Sequence, residues 1–333
     1  IHLGDRLGLY EIMASSIEGD TSSSLAVKAN LHERWVREWL HNQVAARIVS
    51  CADLSDENPV FHLTPEGVAV LATPAHPAYG MGMFHRLPQT MSALEHMPEA
   101  FRTGVGHDYD SHGPEGAVGI ERSFEPWNQN FLIPLVIPAL DGMKEKLSAG
   151  VRVADIGCGS GGAALLMGST FPKSIIDGFD ISKFALERAE ERKSESGAQN
   201  VSFFDPREHP IADDHRYDLI CTFDCIHDMT RPTEMMTTIR NALKDDGTWL
   251  LVDIKAQETL EMNVSKNPMA SLLYGISVLS CMSSAMSEHG GEGLGTLGLS
   301  ANRAESMARE AGFTQFKKLD VDHSVNAFYE IRP

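Results

Sequence analysis

The sequence predicts an α/β protein with an open parallel sheet in its second half and a smaller, mainly helical domain in front of it. Three observations support this prediction. Apolar runs typical of buried strands alternate with helical patterns from about residue 150 onward. A glycine-rich stretch, VADIGCGSGG at residues 153–162, includes the end of the first of these runs. Residues 1–75 instead show the apolar spacing of amphipathic helices.

The charge balance and the cysteines limit the classes of function. The chain has 333 residues, with 28 Lys and Arg against 46 Asp and Glu and a net charge of −18. This balance argues against a nucleic-acid partner, since phosphate binding requires concentrated positive charge. The five cysteines form no C-x-x-C pair, so we expect reduced thiols in a cytoplasmic protein and no metal. The apolar run SLLYGISVLSCM is too short and too mixed to span a membrane.

Residues 1–75 predict a winged-helix domain. Helical segments are followed by FHLTPEGVAVLA, in which a short strand precedes a Thr-Pro-Glu helix start. Such domains bind DNA in regulators and form dimer interfaces in some enzymes. The acids Glu33 and Glu38 stand beside Arg34 and Arg37, and this balanced charge favours dimerisation. We therefore expect a homodimer that pairs through this domain.

The rest of the chain divides into two predicted parts. Residues 76–148 predict a helical connector that also caps the substrate, interrupted by the loop TGVGHDYDSHGPEG. Residues 149–333 carry the alternating strands and helices. Within them, residues 256–300 predict a helical insertion with a Gly-rich loop, which is typical of a lid over a pocket.

The glycine-rich stretch predicts a turn to which a ligand lies close. Gly157, Gly159 and Gly162 satisfy G-x-G-x-x-G, a weak signal when it stands alone. Glycine allows the backbone to approach a ligand, and Asp180 at the end of the second predicted strand can bind ribose hydroxyls. These features fit NAD and S-adenosylmethionine equally well.

Three details distinguish between the two cofactors. Asp155 precedes Gly157 by two residues, which gives D-x-G-x-G-x-G-G. Asp205 ends the third predicted strand, and the segments FTQFKKLDV and SVNAFYEI predict a terminal pair of strands joined by a tight turn. From about residue 150 to the end, the chain resembles class I S-adenosylmethionine-dependent methyltransferases. The resemblance implies a Rossmann-like sheet of seven strands with a reversed last strand.

The same resemblance assigns residues to S-adenosylmethionine and its product S-adenosylhomocysteine. It implies that the glycines border the methionyl part, that an acid holds the ribose, and that an aromatic and an acid frame the adenine. The cofactor-binding residues expected in this way are Asp155, Gly157, Gly159, Gly161, Asp180, Phe204, Asp205, Asp224 and Trp127.

Candidate catalytic and substrate residues come from three segments. His227 in FDCIHDM follows the fourth predicted strand and is a candidate base, although it could equally orient the loop or touch the cofactor. His107 and Tyr109 in GHDYDSHG could hold an acidic or hydroxylated substrate. The candidate binding residues for the substrate are Arg86, Arg122 and Gln129.

The sequence does not distinguish an oxygen from a sulfur as the atom that accepts the methyl group. The domain order resembles dimeric small-molecule O-methyltransferases, which implies a hydroxylated or phenolic acceptor. The architecture and acidic balance are also similar to bacterial S-methyltransferases of dimethylsulfoniopropionate synthesis, which implies the thioether sulfur of 4-methylthio-2-hydroxybutyrate. A winged-helix transcriptional regulator that senses a metabolite and an NAD-dependent dehydrogenase are the rival hypotheses.

Overall fold

A computed structural model describes all residues of the chain, 1–333, and divides them into two compact units. Unit 1 contains residues 1–87 and 119–130, and unit 2 contains residues 88–118 and 131–333. The segment predicted as a connector, residues 76–148, contributes to both units.

Unit 1 begins with a winged-helix arrangement, which confirms the prediction. Four helices precede an antiparallel pair of strands, β1 (Val49–Cys51) and β2 (Phe61–Leu63). Strand β1 was not predicted, because three residues carry too little alternation to be recognised. The Thr-Pro-Glu signal is confirmed, since the Thr64 hydroxyl accepts a hydrogen bond from the backbone N–H of Gly67.

Eighteen α-helices are formed along the chain. Their bounds are α1 His2–Arg6, α2 Leu9–Ser15, α3 Ser22–Ala29, α4 Glu33–Ala45, α5 Pro65–Gly67, α6 Met81–His85, α7 Leu87–Ser92, α8 Met97–Thr103, α9 Gly113–Trp127, α10 Ile137–Ala139, α11 Met143–Ala149, α12 Gly162–Thr170, α13 Lys183–Ser196, α14 Pro232–Ala242, α15 Leu260–Lys266, α16 Ala270–Leu279, α17 Cys281–Ala285 and α18 Ala301–Glu310. Short 3-10 turns cover Ala93–Glu95, Tyr109–His112 and Ile226–Asp228, and π-helical turns cover Val68–Ala72 and Asn128–Val136.

Unit 2 is built on a seven-stranded sheet, as predicted. The strands are β3 Arg152–Ile156, β4 Ile175–Phe179, β5 Val201–Phe204, β6 Tyr217–Phe223, β7 Leu243–Ile254, β8 Gln315–Lys318 and β9 Asn326–Arg332. Their spatial order is β5-β4-β3-β6-β7-β9-β8, and β9 runs antiparallel to both of its neighbours. The reversed strand is therefore confirmed, but residues 319–325 form a longer connection than the expected tight turn.

The sheet topology places one set of strand ends together. Strand β6 is buried along its whole length, as expected for the centre of a parallel sheet that is covered on both faces. Strand order reverses between β3 and β6, which both lie in the middle of the sheet. Ligands bind at the carboxyl ends of strands at such a reversal. The segments that follow β3, β4, β5 and β6 therefore meet at this edge.

None of the helices combines the length and the apolar character that crossing a bilayer requires.

Candidate active site

The loop after β3 is a tight bend held against the end of β4. The backbone N–H groups of Gly157 and Cys158 both donate to the Phe179 carbonyl, at 2.8 and 3.0 Å. Gly157, Gly159 and Gly161 have φ values of 72°, 53° and 75°, in the left-handed region that favours glycine. The glycines are therefore required by the bend itself.

Two of these glycines face different surroundings, and this difference predicts different consequences of substitution. A Cβ at Gly161 would lie 2.4 Å from the Phe203 ring, whereas a Cβ at Gly159 would meet no atom within 4 Å. We expect Gly161→Ala to lower the free energy of unfolding by roughly 1–3 kcal/mol through overpacking, in addition to about 1–2 kcal/mol for the left-handed conformation. Gly159→Ala should retain most stability, at a cost of about 1–2 kcal/mol for the left-handed conformation, but should weaken cofactor binding.

Thermal denaturation and calorimetry with S-adenosylhomocysteine measure the two effects separately. Gly104→Ala is the matched control, because Gly104 also has a positive φ and open space around it. Equal cofactor affinity in Gly159→Ala and Gly104→Ala would contradict the proposal that the open space beside Gly159 receives the cofactor.

Asp155, at the penultimate position of β3, is a buried acid without a partner. Its side chain is fully buried, and neither carboxylate oxygen has a hydrogen-bond partner. Burial, followed by the negative charge of Asp180, raises the pKa of Asp155 to about 7. A buried polar group without a partner is costly, so this carboxyl favours a ligand that supplies a donor or a positive charge.

Asp180 links the end of β4 to the glycine loop. One carboxylate oxygen accepts from the Gly159 N–H at 2.8 Å, and the other accepts from the Ser182 N–H at 2.8 Å. Burial raises the pKa of Asp180, and these backbone donors oppose the rise. Both oxygens keep lone pairs that could accept the hydroxyl groups of a ribose.

Phe204 ends the neighbouring strand β5, and Asp205 follows it directly. The rings of Phe179 and Phe204 are 5.6 Å apart between centroids, which gives an apolar surface beside Asp180. Asp205 already forms an ion pair with Arg207 at 2.7 Å, and this hydrogen-bonded partner lowers the pKa of Asp205. An adenine amino group would therefore share this carboxylate with Arg207.

The loop after β6 lies against the glycine loop. The Cys225 thiol donates to the Ile156 carbonyl at 3.2 Å, and a Cβ at Gly157 would lie 2.7 Å from that of Cys225. Asp224 opens this loop with a positive φ of 49° and accepts a hydrogen bond from the Asn326 amide at 2.6 Å. Burial, followed by the charge of Asp253, raises the pKa of Asp224.

His227 lies in the 3-10 turn of this loop and is buried against an acid. Its Nδ1 is 2.6 Å from the Oδ1 of Asp253, near the carboxyl end of β7. Burial lowers the pKa of His227, but the Asp253 carboxylate outweighs that effect and holds the pKa well above its usual range. Because Asp253 occupies Nδ1, Nε2 is the ring nitrogen available for other contacts.

The predicted lid region contacts the His227 turn. The backbone N–H of Gly295 donates to the His227 carbonyl at 3.0 Å, and Cys281 at the start of α17 lies close to the imidazole. Residues 256–300 therefore contain α15, α16 and α17, followed by a loop that is hydrogen-bonded to the candidate catalytic turn. Whether this insertion moves as a lid stays a prediction.

The segment that contains His107 and Tyr109 is fixed to the same helices. The His107 N–H donates to the Ser283 hydroxyl at 3.0 Å, and Nε2 of His112 is 3.3 Å from the Ser280 hydroxyl. Burial lowers the pKa of His107, and its Nε2 has no hydrogen-bond partner. The rings of Tyr109 and His112 lie 5.5 Å apart between centroids. Through α17, the structure thus connects this histidine-rich segment with His227.

Two acids of this region were missed by the sequence analysis. Asp253 ends the apolar run TWLLVDI, so a rule that follows acids at strand ends could have found it. Asp110 lies in the quoted loop, and its charge contributes to raising the pKa of Asp180. No spacing motif connects Asp110 with Asp180, because the two residues are far apart along the chain.

Four predicted residues belong to unit 1. Arg122 donates to both oxygens of Asp5 at 2.7 Å and also to the Tyr79 hydroxyl. The guanidinium of Arg122 is therefore already bound by protein groups, so a substrate carboxylate would have to share it with Asp5. The other three are Arg86 at the carboxyl end of α6, the buried Trp127 at the end of α9, and Gln129, which donates to Glu125 at 3.0 Å.

Features of unit 2 fit S-adenosylmethionine. Gly159 leaves open space beside its backbone, Asp180 presents acceptors for a diol, and Asp155 lacks a partner for its carboxyl oxygens. Acidic groups around this edge favour a cationic sulfonium over a dinucleotide phosphate.

Family models match both parts of the chain. Residues 147–312 match a family described as a methyltransferase domain, and residues 1–73 match an Rv2258c-like winged HTH domain. A malonyl-(acyl-carrier protein) O-methyltransferase of Halalkalibacterium halodurans is 36% identical over 101 residues. These residues represent 28% of this chain and 36% of that relative, so the chain spans about a third of the length of the relative it matches.

Solved structures share the fold over nearly the whole chain. Human N-acetylserotonin methyltransferase in complex with S-adenosylmethionine gives a TM-score of 0.69 at 16% identity, covering 99% of this chain and 92% of that one. A protein of Nostoc punctiforme described as an O-methyltransferase gives a TM-score of 0.75 at 16% identity, covering 99% of this chain and 94% of that one. An O-methyltransferase from neocarzinostatin biosynthesis, in complex with S-adenosylmethionine and 2-hydroxy-5-methyl naphthoic acid, gives a TM-score of 0.65 at 14% identity, covering 99% of this chain and 94% of that one. At these identities the likeness shows the fold.

Proposed function

Since this chain joins a methyltransferase domain that uses S-adenosylmethionine to a winged helix-turn-helix domain, we propose that it methylates a small molecule beside His227. One observation carries the proposal: the His227 turn packs directly on the glycine loop through Cys225 and Gly157. A group held against the loop and an acceptor held at the turn would therefore be neighbours. Such positioning is what methyl transfer chiefly requires of a protein.

The cofactor supplies an activated methyl group on a sulfonium, and the protein provides alignment and electrostatics. Asp180 would accept the ribose hydroxyls, and Phe204 with Asp205 would frame the adenine. Asp155 would stabilise the positive charge of the cofactor, since neither of its carboxylate oxygens has a hydrogen-bond partner.

A hydroxyl acceptor must lose a proton, and we propose that His227 takes it. Asp253 binds Nδ1 at 2.6 Å and so leaves Nε2 as the ring nitrogen that would accept this proton. This carboxylate–imidazole arrangement both orients the ring and strengthens it as a base. A hydroxylated aromatic acceptor also agrees with the 2-hydroxy-5-methyl naphthoic acid bound to one of the structurally similar O-methyltransferases.

A thioether acceptor is the second candidate, and the raised pKa of His227 agrees with it. A thioether has no proton to lose, so a His227 that keeps its proton beside Asp253 would not impede the reaction. The imidazolium would instead bind the carboxylate of a 2-hydroxy acid such as 4-methylthio-2-hydroxybutyrate. His107 and Tyr109 could hold its hydroxyl group in either case.

Proton release distinguishes the two acceptors. Methylation of a hydroxyl releases one proton for each S-adenosylhomocysteine formed, whereas methylation of a thioether releases none. We expect one proton per turnover with a phenolic substrate and none with 4-methylthio-2-hydroxybutyrate, measured with a pH indicator in weak buffer. The acceptor with the larger kcat/KM identifies the function. If S-adenosylhomocysteine forms with neither the phenolic substrate nor the thioether, the proposal of a small hydroxyl or thioether acceptor is wrong.

The winged-helix domain supports dimerisation better than DNA binding. Arg34 and Arg37 of α4 form ion pairs with Glu38 and Glu33, so their charges are balanced within the helix. Trp35 of the same helix is 78% exposed. We propose that this face pairs two copies of the chain, and light scattering of the wild type and of Trp35→Ala tests it.

A cytoplasmic location agrees with the five free cysteines.

A further inference from the structure

Three side chains with different donor atoms converge at the His227 turn. The ligand atoms of His227, Asp228 and Cys281 all lie within 4.8 Å of one another. His227 is buried, whereas Asp228 and Cys281 are half-buried, which leaves a path from solvent. Two of these residues belong to the turn after β6, and the third begins α17 in the helical insertion.

The imidazole is already oriented for a metal by an acid behind it. Asp253 holds Nδ1 at 2.6 Å, so Nε2 is the nitrogen directed towards Asp228 and Cys281. A histidine that ligates a metal usually makes such a contact from its other nitrogen to a carboxylate. Asp253 also accepts the Ile254 N–H at 2.7 Å, which fixes the carboxylate in turn.

The donor set selects the kind of ion. One nitrogen, one sulfur and one carboxylate oxygen suit Zn²⁺, whereas Mg²⁺ and Ca²⁺ prefer oxygen ligands only. Zinc bonds of about 2.0–2.3 Å would place tetrahedral ligand atoms roughly 3.3–3.8 Å apart, so the three side chains need to move inward only slightly. Three protein ligands leave a fourth position for water.

We propose that His227, Asp228 and Cys281 form a Zn²⁺ site that joins α17 to the His227 turn and inhibits the enzyme. A zinc ion on Nε2 occupies the only ring nitrogen that could reach an acceptor. It also fixes the insertion to the loop beside the glycine bend. The binding half of this inference stands on the three ligands alone, and the inhibitory half rests on the proposed function of His227.

Cobalt spectroscopy tests the binding half without any turnover. The chelator-treated intact protein is titrated with Co²⁺, and a thiolate-to-cobalt absorption is expected at one equivalent in the wild type. Cys281→Ser should abolish this absorption, and Asp253→Asn should weaken affinity about 10–100-fold as the partner behind the ligand is altered. Cys51→Ser is the matched control, because Cys51 is equally half-buried but lies in unit 1.

Absence of the absorption in the wild type, or its persistence in Cys281→Ser, would overturn the proposed site. Zinc competition completes the test: Zn²⁺ should displace Co²⁺ and lower methyl transfer at least about 10-fold in the wild type but not in Cys281→Ser. If zinc displaces cobalt and turnover is unchanged, the inhibitory role is wrong. A wild type that forms the cobalt complex yet never transfers a methyl group refutes the proposed function and leaves the metal site intact.

Discussion

His227→Ala is expected to lower methyl transfer to a hydroxyl acceptor about 100–10,000-fold, the range for removal of a general base. Affinity for S-adenosylhomocysteine should change little, because the contacts expected for the cofactor come from the glycine loop, Asp155 and Asp180. The loss of methyl transfer is expected because Asp253 binds Nδ1 at 2.6 Å and leaves Nε2 as the nitrogen that would take the proton of the acceptor. Single-turnover kinetics and calorimetry measure the two quantities on the same preparation.

The variants at His227 must distinguish a loss of catalysis from a loss of folding. His227→Ala leaves Asp253 buried without its partner, which costs roughly 3–5 kcal/mol when a buried pair is broken. His227→Gln keeps a side chain that can donate to Asp253, and His289→Ala alters an exposed histidine of the helical insertion at residues 256–300. We expect His227→Gln to be folded and inactive and His289→Ala to be active. Equal losses of turnover and of cofactor affinity in His227→Gln would assign His227 to cofactor binding.

Asp180→Ala should have the largest effect on the cofactor. The carboxylate accepts the N–H groups of Gly159 and Ser182 and would also accept the ribose hydroxyls. Hydrogen bonds to a charged group contribute about 1.5–3 kcal/mol each, so the loss of two or more should weaken S-adenosylmethionine binding at least about 100-fold. Calorimetry measures this change directly.

The matched control for this change is Asp213→Ala, which removes an exposed acid of unit 2. It should bind S-adenosylmethionine as the wild type does. Asp205→Ala should fall between the two, because Arg207 already shares that carboxylate. Wild-type affinity in a folded Asp180→Ala would refute the assignment of the ribose to this residue.

The core of the site was predictable because its signals are local. Glycines at 157, 159 and 161 occupy positive φ values, and a bend of this kind appears in sequence as a run of glycine after an apolar strand. Asp180 was predictable for a similar reason, since an acid that ends a buried strand must lie at the edge of the sheet. The parallel sheet with its reversed strand followed from the alternation of strands and helices together with the resemblance.

The partners of these residues were not predictable, because they come from distant parts of the chain. His227 pairs with Asp253 across two strands, and the sequence does not indicate which of several acids at strand ends faces the imidazole. Arg122 was expected to hold a substrate, yet its guanidinium binds Asp5, 117 positions away. The local sequence does not distinguish an arginine whose guanidinium is paired with a buried acid from one whose guanidinium is available to a substrate.

Titration calorimetry of the intact chain with S-adenosylhomocysteine, in parallel with folded Asp180→Ala, tests the central claim most directly. The account predicts saturable binding of one molecule per chain in the wild type and binding at least about 100-fold weaker in the variant. No heat of binding in folded wild-type protein, or identical isotherms for the two proteins, would contradict it.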